Sequence, residues 1–165
     1  MVGHVVRTPR RWLAALLASV LCAPSLHAQA HQPPVPEVRV DVIDAGATAI
    51  QAGIGLGFPV GVYLRPVLLV AAGPATNGDV WRSSSRVDAI ARFLLDPFRE
   101  SRFGLYGGGG VSVLHDPWDR WRGVITVTLG LELPAHAGGA WAFEAGFGGG
   151  IRFGIVLRRA MRGRR

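Results

Sequence analysis

The sequence contains no lysine, and its only cysteine, Cys22, lies close to the N-terminus. A chain with one cysteine cannot form an internal disulfide, nor can it supply the several thiolates of the usual structural zinc sites. Histidine is also scarce: beyond residue 30 the chain has only His31, His115 and His136, and none lies at metal-ligand spacing from another. The sequence therefore predicts neither a metal site nor a disulfide framework.

Catalytic motifs are missing as well. The glycine runs at 107–110 and 148–150 are not followed by Gly-Lys-Ser/Thr, so they do not match a phosphate-binding loop. Ser112, His115 and Asp116 are the only neighbouring residues of the types found in a nucleophile–histidine–acid set. Ser112 and His115 are an odd number of positions apart, so on a regular strand their side chains face opposite sides. We therefore assign no catalytic, cofactor-binding or metal-binding residue, and we expect a protein that is not an enzyme.

Positive charge is concentrated at the two ends of the chain. The formal net charge of +7 includes three arginines among the first eleven residues and five among the last eight. Residues 31–157 carry ten arginines and eleven acidic residues, so this segment is close to neutral. A nucleic-acid-binding domain would place positive charge on its folded surface, so we expect no nucleic-acid partner. The arginine-rich tail would be either a solvated chain end or a contact for anionic lipid head groups.

The first thirty residues have the three parts of a secretory signal peptide. A region with three arginines is followed by an apolar stretch from Trp12 to Cys22. This stretch is too short to cross about 30 Å of hydrocarbon as a helix. Ala28-Gln29-Ala30 then provides the small residues of a signal peptidase site. We predict that residues 1–30 are a cleaved signal peptide; an uncleaved membrane anchor is the alternative.

From residue 37 onward, apolar and polar residues alternate with a period of two, which is typical of half-buried β-strands. Eight segments show this alternation, and Gly, Pro, Asn or Asp residues mark turns between them. The segments lie at about 38–42, 50–58, 60–70, 86–95, 103–115, 125–133, 141–147 and 151–158. Val87–Leu95 also fits a helix. The last two segments could form one long strand through Gly148–Gly150, which would leave seven strands.

The regular spacing of strands and turns predicts an all-β fold, an up-and-down antiparallel β-barrel of about eight strands. Alternation alone does not show whether the apolar or the polar face points inward. Since eight strands leave an interior that side chains just fill, the glycine-rich polar face suits the inside, where opposite charges can pair. The charged set is Arg39, Arg65, Arg86, Arg92 and Arg152 with Asp41, Asp88, Glu132 and Glu144. Tryptophans near strand ends would form interfacial girdles or belong to a core; they are Trp81, Trp118, Trp121 and Trp141.

With its export signal, eight alternating segments and glycine-dense stretches Tyr106–Gly110 and Glu144–Gly150, the chain resembles the small outer-membrane β-barrel proteins of Gram-negative bacteria. The resemblance covers most of residues 37–158. It implies a location in the outer membrane, lipid as the partner of an outward apolar face, and a structural or weak binding role. Two features depart from that family: the chain ends in arginines rather than an aromatic residue, and only the Gly73–Val80 connection is moderately long.

The alternative is a soluble periplasmic or secreted β-barrel whose apolar face points inward and binds a small apolar ligand. Either fold gives the same expected division of the chain. Residues 1–30 are the signal peptide, 31–36 a flexible proline-rich leader, 37–158 the β-barrel domain and 159–165 the arginine-rich tail.

The signal-peptide assignment predicts the N-terminus of the exported protein. Because Ala28-Gln29-Ala30 places small residues before the cleaved bond, N-terminal sequencing of exported material should begin at His31. Exported protein that still begins at Met1 would contradict the assignment.

Overall fold

The computed structural model describes residues 32–98, 102–116 and 120–159. The predicted signal peptide, Trp118 and the tail beyond Arg159 lie outside the described residues. Among those residues, no helix is long and apolar enough to cross a membrane.

Eight antiparallel strands form one closed β-barrel in which each strand pairs with its sequence neighbours and the first pairs with the last. This confirms the all-β, eight-stranded prediction. The Val87–Leu95 segment belongs to β4 as far as Leu94 and is not a helix, and a turn at Gly148–Gly150 separates the last two strands. The strands are β1 (Val35–Asp44), β2 (Thr48–Gly57), β3 (Leu64–Asn77), β4 (Val80–Leu94), β5 (Gly104–Asp116), β6 (Arg120–Glu132), β7 (Gly139–Phe147) and β8 (Ile151–Arg159).

The β3–β4 hairpin differs most from the expected boundaries. The predicted turn at Gly73–Val80 is mostly strand, since β3 continues to Asn77 and only Gly78 and Asp79 connect it to β4. Gly78 has a φ of +69°, which glycine adopts without the strain of a side chain. At the other end, β3 begins at Leu64 rather than near residue 60. The preceding residues form a turn closed by the Val60 N–H donating to the Leu64 carbonyl at 2.8 Å.

The two ends of the barrel differ in their connections. One end, which we call the terminal end, has the start of β1, the end of β8 and the β2–β3, β4–β5 and β6–β7 connections. The opposite end, the turn end, has the other four connections. Three of these are described in full and contain only two or three residues each. The barrel domain begins at Val35 and ends at Arg159, so its strands extend slightly beyond the expected 37–158.

Apolar side chains cover the outside of the barrel, and charged side chains fill its inside. In β1, Val38 is 56% exposed whereas the next residue, Arg39, is 1% exposed. The same alternation is found in every strand whose burial pattern is complete, except at the turn end of β4, where Val80–Ser83 are all exposed. Among the described outward positions of the strands, the acidic and arginine residues are Asp44 and Arg159, which both lie at strand ends. The inward apolar residues that the sequence pattern did not separate include Val67, Leu69 and Ile90.

Glycine at inward positions makes room for the large side chains of the interior. A Cβ atom on Gly154 would lie 2.1 Å from Asp41 Oδ1 and 2.9 Å from Arg39 Nη2. A Cβ atom on Gly130 would lie 2.0 Å from the ring of Tyr106. The glycine-rich face is therefore the inner face, as the size of an eight-stranded barrel requires.

Replacing Gly130 tests this crowding. We expect Gly130→Ala to lower the free energy of unfolding by about 1–3 kcal/mol, because the added methyl group forces the buried Tyr106 ring to move. Gly123→Ala is the matched control on the same strand, since a Cβ there meets nothing within 4 Å. Denaturant titration of both variants measures the difference, and equal stabilities would contradict the proposed close packing.

Candidate functional site: the charged barrel interior

Six arginines and five acidic residues are buried inside the barrel. Six of the eight strands contribute them, so the network connects parts of the chain that are distant in sequence. Successive ion pairs join all of them into one chain of contacts from Glu132, near the terminal end, to Arg152, toward the turn end. The members are Glu37, Arg39, Asp41, Arg65, Arg86, Asp88, Arg92, Glu132, Glu144, Arg152 and Arg158.

Glu37 and Glu144 are the two main acceptors in the terminal-end half of the network. Arg92 donates to both carboxylate oxygens of Glu37, at 2.6 and 3.0 Å, which is the two-bond geometry that a planar guanidinium favours. Glu144 lies 2.8 Å from Arg92 Nη2 and 2.8 Å from Arg39 Nη2. Each acid therefore contacts more than one arginine, which compensates part of the cost of burying these charges.

Arg158 connects the remaining groups of this half. Its guanidinium donates to Glu37 at 3.0 Å, to Glu132 at 2.8 Å and to Glu144 at 2.9 Å. It also donates to the Tyr106 hydroxyl at 2.6 Å, and that hydroxyl donates to Glu144 at 2.7 Å. Arg158 thus lies inside the barrel, although the sequence also places it among the C-terminal arginines.

Asp41 and Asp88 are the acids of the turn-end half. Arg39 donates to both oxygens of Asp41 at 2.7 and 2.6 Å, and Arg86 donates to the same carboxylate. Asp88 Oδ2 lies 3.1 Å from Arg86 Nε and 2.9 Å from Arg152 Nη1. Two guanidinium groups therefore converge on a single carboxylate oxygen.

Neutral polar groups and a small recess lie between this half and the turn end. Gln51 donates to the Ser84 hydroxyl at 2.9 Å, and Ser112 and Thr126 share a hydrogen bond of 2.5 Å. The recess has a volume of about 40 Å³ and opens at the turn end. Its lining includes Ile43, Ala49, Gln51, Ser84, Leu114 and the half-buried Arg122, whose guanidinium donates to the Gly149 carbonyl at 3.1 Å.

The structure brings the predicted charged set together and adds two members. All nine residues of that set are buried in the network, as expected from the alternation. The two added members are Glu37 and Arg158, which lie at the ends of the predicted domain. Alternation places both on the inward face, since Glu37 is two residues from Arg39 and Arg158 is six from Arg152.

The one arrangement considered for catalysis does not form. Ser112 points inward and bonds to Thr126, whereas His115 packs its ring against Trp121 at 4.8 Å on the outer side. Within the described part of the chain, no group of three or more histidine, cysteine or acidic side chains is arranged to hold a metal ion.

The tryptophans within the described residues lie near strand ends and point outward. Trp81 and Trp121 lie at the turn end, with 62% and 63% of their surface exposed. Trp141 lies near the terminal end and is 51% exposed. Core packing is therefore not the role of these three residues.

These features define a class: an eight-stranded antiparallel β-barrel with an apolar outer wall and a charged, filled interior. No protein-family model matches the chain, and no curated protein matches its sequence significantly. The class therefore rests on the architecture and on the distribution of its side chains.

Glu144 offers a direct test of the network. We expect Glu144→Gln to lower the free energy of unfolding by about 3–5 kcal/mol, because it removes one negative charge from contact with three buried arginines. Urea titration in the solvent or detergent that keeps the protein folded measures the loss. Asp79→Asn, in the exposed β3–β4 turn, is the control and should change stability by less than about 0.5 kcal/mol. Similar losses in the two variants would show that the network is not a major source of stability.

Proposed function

We propose that this protein is an integral outer-membrane β-barrel whose apolar wall contacts lipid. The single observation that carries the proposal is the outward face of the strands, which is apolar between the strand ends while the charges are inside. This distribution is the reverse of that in a water-soluble barrel and matches the arrangement of membrane barrels. Large apolar side chains exposed by 50% or more include Val38, Ile54, Leu68, Ile125, Leu129 and Phe153.

The extent of the apolar surface supports lipid as the partner. Water-soluble monomers rarely expose a continuous apolar patch larger than a few hundred Å². On β6 the outward side chains from Trp121 to Leu131 are apolar, with Gly123 as the smallest. At about 3.4 Å per residue and a tilt of about 40°, this length spans roughly 26 Å, close to the apolar band of about 25 Å on outer-membrane barrels.

Aromatic residues near both ends of the barrel support the same orientation. Trp81 and Trp121 at the turn end, and Tyr63, Phe98 and Trp141 at the terminal end, are all more than half exposed. Aromatic side chains prefer the two interfaces of a membrane, where an apolar ring meets the polar head groups. The predicted signal peptide provides the route out of the cytoplasm.

The filled interior favours a structural or weak binding role over transport. Charged side chains occupy the space that a pore would need, and they bond to one another. The alternative, a soluble periplasmic or secreted barrel with a small apolar ligand inside, would place that ligand among buried charges. In that alternative the outward valines, leucines and isoleucines would be exposed to water, or a partner protein would have to cover them.

A charge placed on the outer wall tests the proposal. We expect Ile54→Arg, on the outward face of β2, to lower the free energy of unfolding in lipid vesicles by about 2–4 kcal/mol, as for arginine near the middle of a membrane. Thr48→Arg is the matched control on the same face of the same strand. It lies at the turn end, where the expected cost is about 0–1 kcal/mol.

A soluble barrel gives a different result. In that case Ile54 meets water, so both arginine variants have similar stability, and wild-type protein is recovered in the periplasmic extract without detergent. Either finding would contradict the membrane proposal. Recovery of wild-type protein only with detergent, together with selective loss of stability in Ile54→Arg, would support it.

A further inference from the structure

The turn-end half of the network has more positive than negative charge. Three arginines, Arg39, Arg86 and Arg152, contact its two acids, Asp41 and Asp88. The terminal-end half is balanced: Arg65, Arg92 and Arg158 contact Glu37, Glu132 and Glu144. Arg39 also contacts Glu144 of the terminal-end half, but this contact does not change the number of positive and negative charges in the network. The buried network as a whole therefore has one arginine more than it has acids.

A buried positive charge without a counter-charge is costly, because the protein interior solvates ions far less well than water. Loss of a proton cannot correct this excess, since arginine retains its proton at any ordinary pH. The arginines lie within the barrel wall and are at most 6% exposed, so bulk solvent compensates them poorly. A bound anion would restore neutrality.

Unused hydrogen-bond donors indicate where such an anion would bind. Several buried guanidinium nitrogens have no hydrogen-bond partner in the described part of the chain, and two of them, Arg86 Nη1 and Arg152 Nη2, belong to the arginines beside Asp88. The same two guanidiniums converge on Asp88 Oδ2 through their other nitrogens. Two arginines thus share one carboxylate oxygen and each retain an unused donor, which is the chemistry that accepts a small anion.

The turn-end recess provides an approach to these donors. Three lining residues stand two positions along a strand from a buried polar side chain of the interior. Ile43 neighbours Asp41 in this way, Ser84 neighbours Arg86, and Leu114 neighbours Ser112. The recess therefore ends one inward side-chain layer above the positive half of the network.

From this arrangement we propose that the barrel binds one small monovalent anion, of the size of chloride, against Arg86 and Arg152, and that the recess admits it. The anion neutralises the excess positive charge of the interior and bridges Arg86 of β4 and Arg152 of β8. The small recess favours a small anion over a bulky organic one. This proposal does not rest on the membrane assignment, since the interior charges are the same in lipid, detergent or water.

The experiment compares anions at constant ionic strength. Purified mature protein in nonionic detergent is unfolded with urea in sodium chloride, sodium bromide or sodium gluconate. A ligand that binds only the folded state multiplies the folding equilibrium constant by one plus its concentration over its dissociation constant. Chloride or bromide at ten times its dissociation constant should therefore raise that constant about tenfold relative to gluconate.

Arg152→Gln removes the excess charge and one of the two unused donors, so its unfolding midpoint should no longer differ between chloride and gluconate. Arg159→Gln, which removes an exposed arginine at the end of β8, is the control and should keep the full chloride response. Crystals of the wild-type protein in bromide should show an anomalous scattering peak beside Arg86 and Arg152, a result that does not depend on the folding of any variant.

The proposal is overturned if wild-type protein unfolds at the same urea concentration in chloride and gluconate. It is also overturned if Arg152→Gln and Arg159→Gln retain equal chloride responses, or if bromide is found elsewhere. None of these outcomes bears on the lipid contact, which the Ile54→Arg and Thr48→Arg pair tests separately.

Discussion

Closing eight strands into a barrel directs about half of the strand side chains into a narrow space that they must fill, and eleven of the side chains buried there are charged. Such a space is stable only when each charge meets a partner. The contacts among Glu37, Glu144 and Arg158 show how this is achieved, since each of these groups has several partners on different strands. The glycines at inward positions follow from the same constraint, because long guanidinium groups need neighbours without side chains.

The composition of the outer wall depends on this interior. Since the charges satisfy one another inside, outward positions need no polar residues for stability, and they carry valine, leucine, isoleucine and phenylalanine. Strand register connects the two surfaces, because a shift by one residue would exchange them completely. In the register observed, Arg39 pairs with Gly53 and Val156, while its neighbour Val40 pairs with Ala52 and Ile155. Interior pairing and exterior apolarity are therefore two results of one alignment.

Much of this architecture is predictable from a period of two, since alternation assigns Val38 and Arg39 to opposite faces without knowledge of the fold. The prediction is weaker where both faces are apolar, as at Val67 and Leu69 in β3, because nothing in the pattern then distinguishes inside from outside. Strand ends are also poorly predicted: Gly73 and Pro74 suggest a turn, yet pairing with β4 continues to Asn77. The partners within the network require register across strands, which a single sequence does not contain.

The connections at the turn end have a consequence for recognition. Each fully described connection has only two or three residues, so these turns consist mainly of backbone and small side chains, with the exposed rings of Trp81 and Trp121 nearby. The longest strands, β3 and β4, meet there at Gly78 and Asp79. A partner protein that approached the described part of this rim would meet the β3–β4 hairpin as its most extended surface.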